Sequence, residues 1–528
     1  MNKIQVLDCT LRDGGYCNQF CFGYDNIKKI ISNLTEANID IIECGFLTNT
    51  VEYEKEKTLF NNVDQISGVI PKKHQRKMIV ALMNYGQFDV DTLPEYTENS
   101  IDGIRVAFHK KNREEALKVC EKIKSKGYKV FVQAMVSISY TDKEFLDLIH
   151  KVNKLDPYAF YIVDSFGTMK GKDLTRLFYI IEHNLNDNII IGLHSHNNLQ
   201  LSFSNAQTLL GIQTNRRLII DSSIYGMGRG AGNLNTELFV EYLNELTDCS
   251  YKLNPLLRVI DEILNDFYNK SHWGYSLPNY LSATHNAHPN YARFLDDKKT
   301  LAVKDMNEIF SMMVDEKKVS FDKNYIEELY LRYMESGVVH EEHRAELSEK
   351  VAGKKVILIA PGRSSSDEKE KIIDASKSND VITVSINFDY SHLNVDYIFS
   401  SNIRRFKALG KEQREKCIVT SNIAADNVYL QTGYSDLLND EESVSDNAGL
   451  MAIKFFIDCG AKEILLAGFD GYSKYTSENY GESGMEIITR NAVLDAMNLG
   501  MTNVISEYAR KIDISFVTKP KYIVISGR

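Results

Sequence analysis

Two short segments carry side chains that can bind a cation or stabilise developing charge, and each sits at the end of an apolar run. Leu11-Arg12-Asp13-Gly14-Gly15 sets a guanidinium beside a carboxylate, and its paired glycines allow a sharp turn or the close approach of a ligand. Taken alone, the segment reads equally as a turn or as a site. In His194-Ser195-His196, strand alternation would put both imidazoles on one face, where they can grip one divalent ion or simply be solvated. If the two runs lie close together, Asp13 adds an oxygen ligand. Two imidazoles and a carboxylate with open positions suit Mn²⁺, Mg²⁺ or Zn²⁺ as a Lewis acid.

Three further segments can complete such a site. Tyr225-Gly226-Met227-Gly228-Arg229-Gly230-Ala231-Gly232-Asn233 holds four glycines ahead of a helix start, a composition that caps a helix, cradles an anion or merely connects. The Asn233 carbonyl can be a fourth metal ligand, a substrate contact or a cap. Glu43 ends an apolar run beside Cys44 and can hold Arg12 in a charge-assisted pair, or be a surface carboxylate. Asp164-Ser165-Phe166-Gly167 offers the Ser165 hydroxyl to a substrate carboxylate, or to a helix end.

Positioning these groups is the task of eight β-branched runs: 4–8, 39–45, 77–83, 103–108, 128–136, 159–164, 188–196 and 217–226. Helical patterns lie between most of them, as in DNIKKIISNLTEAN, where Ile27, Ile30, Ile31 and Leu34 follow a capping Asp25. The interval from Asn49 to Gln75 is ragged. Buried strands alternating with helices predict a parallel sheet, and eight repeats predict an α/β (β/α)₈ TIM barrel over residues 1–250, with an open doubly wound sheet as the alternative. The site segments then fall at the carboxyl mouth.

From residue 251 to 350 the strand signal gives way to charged helical stretches, a helical appendage and linker. Alternation resumes at 354–362, 380–386, 395–401, 416–422, 462–470, 514–518 and 521–527, predicting a C-terminal Rossmann-like α/β domain over 351–528. Its Ala360-Pro361-Gly362-Arg363-Ser364 turn is a weak phosphate motif, lacking both Gly-x-Gly-x-x-Gly and the P-loop lysine.

The 528 residues carry 72 acidic and 62 basic side chains, a net charge of −10 that argues against nucleic acid or an anionic membrane as partner. The 8 Cys include no Cys-x-x-Cys pair, which fits reduced thiols in a cytoplasmic protein. Neither a signal peptide nor a membrane-spanning run is read, and a homo-oligomer is expected.

Taken in order, LDCTLRDGG, IIECGF, VDSFG, GLHSHNN and GMGRGAGN resemble the pyruvate-carboxyltransferase or hydroxymethylglutaryl lyase-like superfamily of metal-dependent barrels, over the first 248 residues. VDSFGTM and GLHSHNNLQLSFSNA are most similar to 4-hydroxy-2-oxovalerate aldolases. The resemblance implies a lyase of bacterial sugar or glycan metabolism that joins pyruvate to an aldehyde or cleaves the product. It implies a divalent metal, Mn²⁺ or Mg²⁺ first, on Asp13, His194 and His196. Arg12 would stabilise the enolate oxygen, Glu43 would orient Arg12, and Ser165 would meet the pyruvate carboxylate.

One departure bears on the chemistry. The aldolases place a histidine acid/base where Gly15 and Tyr16 stand here. Tyr16 is the first candidate proton carrier, followed by His109, His285 and His288. The glycine loop also leans toward isopropylmalate and homocitrate synthases, which join acetyl-CoA to a 2-oxo acid. AGLMAIKFFIDCGAKEILLAGFDGY more loosely resembles Rossmann-like domains of bacterial sialyltransferases and glycan pathways, implying a phosphosugar or nucleotide-sugar ligand or a structural role.

Overall fold

The computed structural model describes residues 4–71, 77–298, 301–335, 341–475, 478–481 and 491–520. The chain forms two compact units, Met1–Arg293 with Val314–Phe321, and Phe294–Met313 with Asp322–Arg528.

In the first unit, parallel strands β1 (Ile4–Asp8), β2 (Ile41–Leu47), β4 (Met78–Asn84), β5 (Gly103–Phe108), β6 (Lys129–Ala134), β7 (Ala159–Asp164), β8 (Ile190–Ser195) and β9 (Leu218–Ser222) close a barrel. Closure is made by β1, which pairs with β9 from Ile4↔Leu218 to Asp8↔Ser222 and with β2 at Leu7↔Ile41 and Asp8↔Ile42. These strands are legible as apolar runs because both faces are covered. Leu7, Ile41, Val80, Phe131, Ile190 and Ile219 pack together inside the barrel. A two-residue strand, β3 (Leu59–Phe60), pairs with the end of β2, and a short helix, Val63–Ser67, follows it in the ragged interval.

The helices cover the outside by their apolar stripes. In Tyr24–Glu36 the buried residues are Ile27, Ile30, Ile31 and Leu34, at the spacing of one helix face. Asp25 is not its cap. The helix starts one residue earlier, behind Gly23 at φ 88°, and Glu56 accepts the Tyr24 N–H at 2.8 Å, so Asp25 lies in the first turn, where a carboxylate favours the helix dipole.

The described residues from 253 to 351 contain helices and no strand. The second unit holds a seven-stranded parallel sheet of β10 (Lys355–Ile359), β11 (Val381–Ile386), β12 (Tyr397–Ser400), β13 (Cys417–Thr420), β14 (Leu430–Thr432), β15 (Glu463–Ala467) and β16 (Asp513–Phe516). Its order is β14-β13-β12-β11-β10-β15-β16, an open doubly wound sheet. β14, with the sequence LQT, is too short and polar to read as a strand in isolation, while the expected strand at 521–527 lies outside the described residues. No helix is long and apolar enough to cross a membrane, among the described residues.

Candidate active site

At the carboxyl end of the barrel, Asp13 follows β1, His194 lies on β8 and His196 follows it. One ligand atom from each lies within 4.8 Å of the others, and all three residues are buried. The two rings cross nearly at right angles with centroids 5.1 Å apart. His194 Nδ1 faces Asp221 Oδ2 at 2.9 Å and His196 Nδ1 faces the Gly232 carbonyl at 3.3 Å. An acceptor opposite Nδ1 keeps the proton there, which leaves each Nε2 a bare lone pair.

The glycine loop folds back over this cluster. Asn233 pairs with His196 as an isolated bridge, and Asn233 Nδ2 donates to Asp13 Oδ2 at 2.6 Å. Asn233 Oδ1 is buried and has no hydrogen-bond partner. Gly228 is required by close approach: a Cβ there would stand 2.2 Å from Asn233 Nδ2 and 2.7 Å from Asp13 Oδ2. At Gly232, φ is +81° and a Cβ would meet the Gly226 carbonyl.

Buried charge supports the cluster from below. Arg12 donates from Nε to Glu43 Oε2 at 2.7 Å and from Nη1 to Asp13 Oδ1 at 2.5 Å. Glu43 Oε1 in turn accepts from Arg105 Nη1 at 2.8 Å, and Arg105 Nη2 pairs with Asp221 Oδ2. The result is a continuous chain in which the alternating charges Arg12–Glu43–Arg105–Asp221 end on the hydrogen-bonded ring of His194, with every member buried. Burial alone would raise the Asp13 pKa, yet the adjoining Arg12 guanidinium holds the carboxyl well below its usual range. Burial pushes His196 down to about 3, so it stays neutral and able to ligate.

The cluster opens on a cavity of about 230 Å³ lined by Arg12, Tyr16, His109, Ser165, Arg229 and His288, among others. Ser165 caps no helix. Its Oγ accepts the Val136 N–H at 3.0 Å and retains a hydroxyl proton to donate. Tyr16 is 37% exposed, with its ring edge-on to Phe20 and Phe46 and beneath the Arg229 guanidinium at 5.6 Å. His288 meets the Phe166 ring, and burial takes it down to about 3. His285 is not among the residues lining the cavity.

Sequence reasoning missed Arg105, Asp221 and Arg229. The available signal was a charge in the middle of an apolar strand, in GIRVAF and again in LIIDS. Arg229 donates from Nη2 to the Ser165 carbonyl at 3.0 Å.

The fold and site define a closed parallel barrel whose carboxyl mouth gathers a carboxylate, two imidazoles and an arginine. The sequence of this barrel places it further: residues 3–262 match the HMGL-like family. Among curated relatives, the 4-hydroxy-2-oxovalerate aldolase of Pseudoalteromonas translucida (strain TAC 125) is 27% identical over 248 residues, 46% of this chain and 70% of that protein. The enzyme of the same name from Geobacillus genomosp. 3 is 28% identical over 247 residues, 46% and 71% of the two chains. The oxaloacetate decarboxylase of Mycobacterium tuberculosis (strain ATCC 25618 / H37Rv) is 22% identical over 272 residues, 52% and 79% of the two chains.

Proposed function

We propose that the barrel is a divalent-metal-dependent aldolase, a carbon–carbon lyase that joins the enolate of pyruvate to an aldehyde or cleaves the product. The observation that supports this most directly is Arg12, a guanidinium locked by Glu43 and Asp13 beside a cluster of hard and borderline donors. The donor set fits a cation: Asp13, His194 and His196 converge, and the orphaned Asn233 Oδ1 supplies a further buried oxygen. Mn²⁺ or Mg²⁺ held there would contribute Lewis-acid polarisation of the 2-oxo acid.

The remaining steps belong to the protein. Arg12 donates to the oxygen on which negative charge grows, and because both of its anchors are in place beforehand, little reorganisation is needed at the moment of reaction. Glu43 and Arg105 fix the orientation of Arg12. Ser165 donates its hydroxyl to the pyruvate carboxylate. Tyr16 carries the proton to and from the substrate, with His109 and His288 lining the same cavity. The amides of Asn84, Gln87 and Asn112 at this cavity suit a hydroxylated aldehyde, which supports a place in sugar or glycan metabolism.

The test is exchange of the pyruvate methyl protons in D₂O, followed by NMR with the metal-stripped and Mn²⁺- or Mg²⁺-reloaded protein. Exchange that needs the metal and is lost in Arg12→Ala supports the reading. Metal-loaded protein that exchanges no faster than buffer overturns it.

A further inference from the structure

The second unit contains the larger cavity, about 560 Å³, and nothing in the barrel chemistry uses it. Its walls are the segments that leave the carboxyl ends of β10, β11, β12 and β15: Ala360–Gly362, Asn387, Ser401–Asn402 and Gly468–Tyr472. β10 is the strand at which the order reverses, with β11 on one side and β15 on the other. In open parallel sheets, the crevice outside the carboxyl ends at such a reversal is where ligands bind.

The charge of the lining is specific. Arg404 and Arg405 stand in the first turn of helix Ile403–Ala408, and Lys298 lines the cavity as well. The two lining carboxylates are already engaged. Asp470 accepts the Ser364 N–H at 2.7 Å and also pairs with its hydroxyl, and Asp446 Oδ2 accepts from the Tyr330 and Tyr434 hydroxyls at 3.3 Å each. Ser401, 1% exposed, lines the cavity with an Oγ that has no hydrogen-bond partner. Burial draws the Arg405 pKa down, the Tyr480 phenol beside it works the other way, and the like charge of Arg404 adds to the lowering. The lining also includes the apolar and aromatic side chains of Phe469, Tyr472, Met497 and Met501, alongside amides such as Asn447 and Asn479.

We infer that this cavity is a binding site for a phosphate ester of nucleotide or sugar-phosphate size, its phosphate on Arg404 and Arg405 and its organic body against Phe469, Tyr472 and the methionines. The volume lies within the range of about 300 to 1,000 Å³ that encloses such molecules. The forked guanidinium suits phosphate oxygens.

Isothermal titration of the full-length protein with inorganic phosphate, UMP, CMP, UDP and glucose 6-phosphate tests the inference. An organic phosphate should bind at least about tenfold more tightly than inorganic phosphate, and preference for the nucleotides or for the sugar phosphate tells which body fills the cavity. Arg405→Gln should weaken that binding by roughly tenfold or more, as loss of a charge-assisted contact does, while pyruvate exchange in the barrel is unchanged. Arg404→Gln, at the exposed neighbour, is the second variant and should weaken binding in the same direction. The inference is overturned if no organic phosphate binds more tightly than inorganic phosphate, or if both folded variants bind as the parent does.

Discussion

Asp221 accepts the Nδ1 proton of His194 at 2.9 Å while the same oxygen pairs with Arg105, so one buried carboxylate sets the tautomer of the imidazole and neutralises a guanidinium beneath it. Asp221→Asn removes the charge and keeps the shape. Metal affinity should fall by roughly tenfold to a hundredfold, as for other outer partners of ligating histidines. A metal titration read by calorimetry checks this, and unchanged affinity would remove Asp221 from the site.

Asp13 and Arg12 should separate in their effects although they touch. Asp13→Asn loses an anionic oxygen, and metal content and pyruvate exchange should disappear together. Arg12→Lys should retain the metal but slow exchange by roughly a few hundredfold, since a point charge on a flexible stem cannot be held by two carboxylates as the fork is. Elemental analysis of each variant alongside its exchange rate distinguishes the two patterns.

Tyr16→Phe asks where the proton goes. Retained metal with abolished exchange would assign the proton to the Tyr16 hydroxyl, and near-normal exchange would move the role to His288 or His109, which line the same cavity.

Gly228→Ala should be more damaging than a small surface change. Its added methyl carbon would stand 2.2 Å from Asn233 Nδ2 and 2.7 Å from Asp13 Oδ2, so one of them must leave its position. The expected outcome is loss of metal affinity with circular dichroism unchanged; full affinity in a folded variant would show that the loop can yield.

Asp8 gives a pH-dependent prediction. It is wholly buried, and burial raises its pKa to about 6 against hydrogen bonds from Thr236 and Thr10. A pKa above the unfolded value means that ionising Asp8 costs stability, which is fully present below about pH 4 and lost as pH rises through about 6. The shift corresponds to roughly 3 kcal/mol at most. Asp8→Asn should therefore gain on the parent as pH is raised from 4 to 7.5, read from urea midpoints of the barrel. Parallel pH profiles would contradict it.

How far the sequence reveals the molecule depends on what it must encode locally. The barrel strands are buried on both faces, so each reads as an apolar run without knowledge of its neighbours, and Asp13, His194 and His196 stand out at strand ends. Arg105 and Asp221 do not. Each is a charge in an apolar strand, and only closure brings these two, 116 residues apart, face to face. β14 and β3 are likewise products of tertiary pairing, with too few residues to carry a pattern of their own.

The seam that closes the barrel also sets a timetable for the site. β1 makes five register pairs with β9 and two with β2, so most of its backbone waits for a partner more than two hundred residues further along the chain. At a synthesis rate of about 5 to 20 residues per second, that wait lasts on the order of 10 to 40 seconds. For most of that interval Asp13 has been made while His194 and His196 have not, Asn233 follows only after β9, and the edge of β1 is open to any other extended chain. A ribosome stalled before Ile190 would hold a chain with Asp13 and neither imidazole, so in the cell the three donors come together late and all at once.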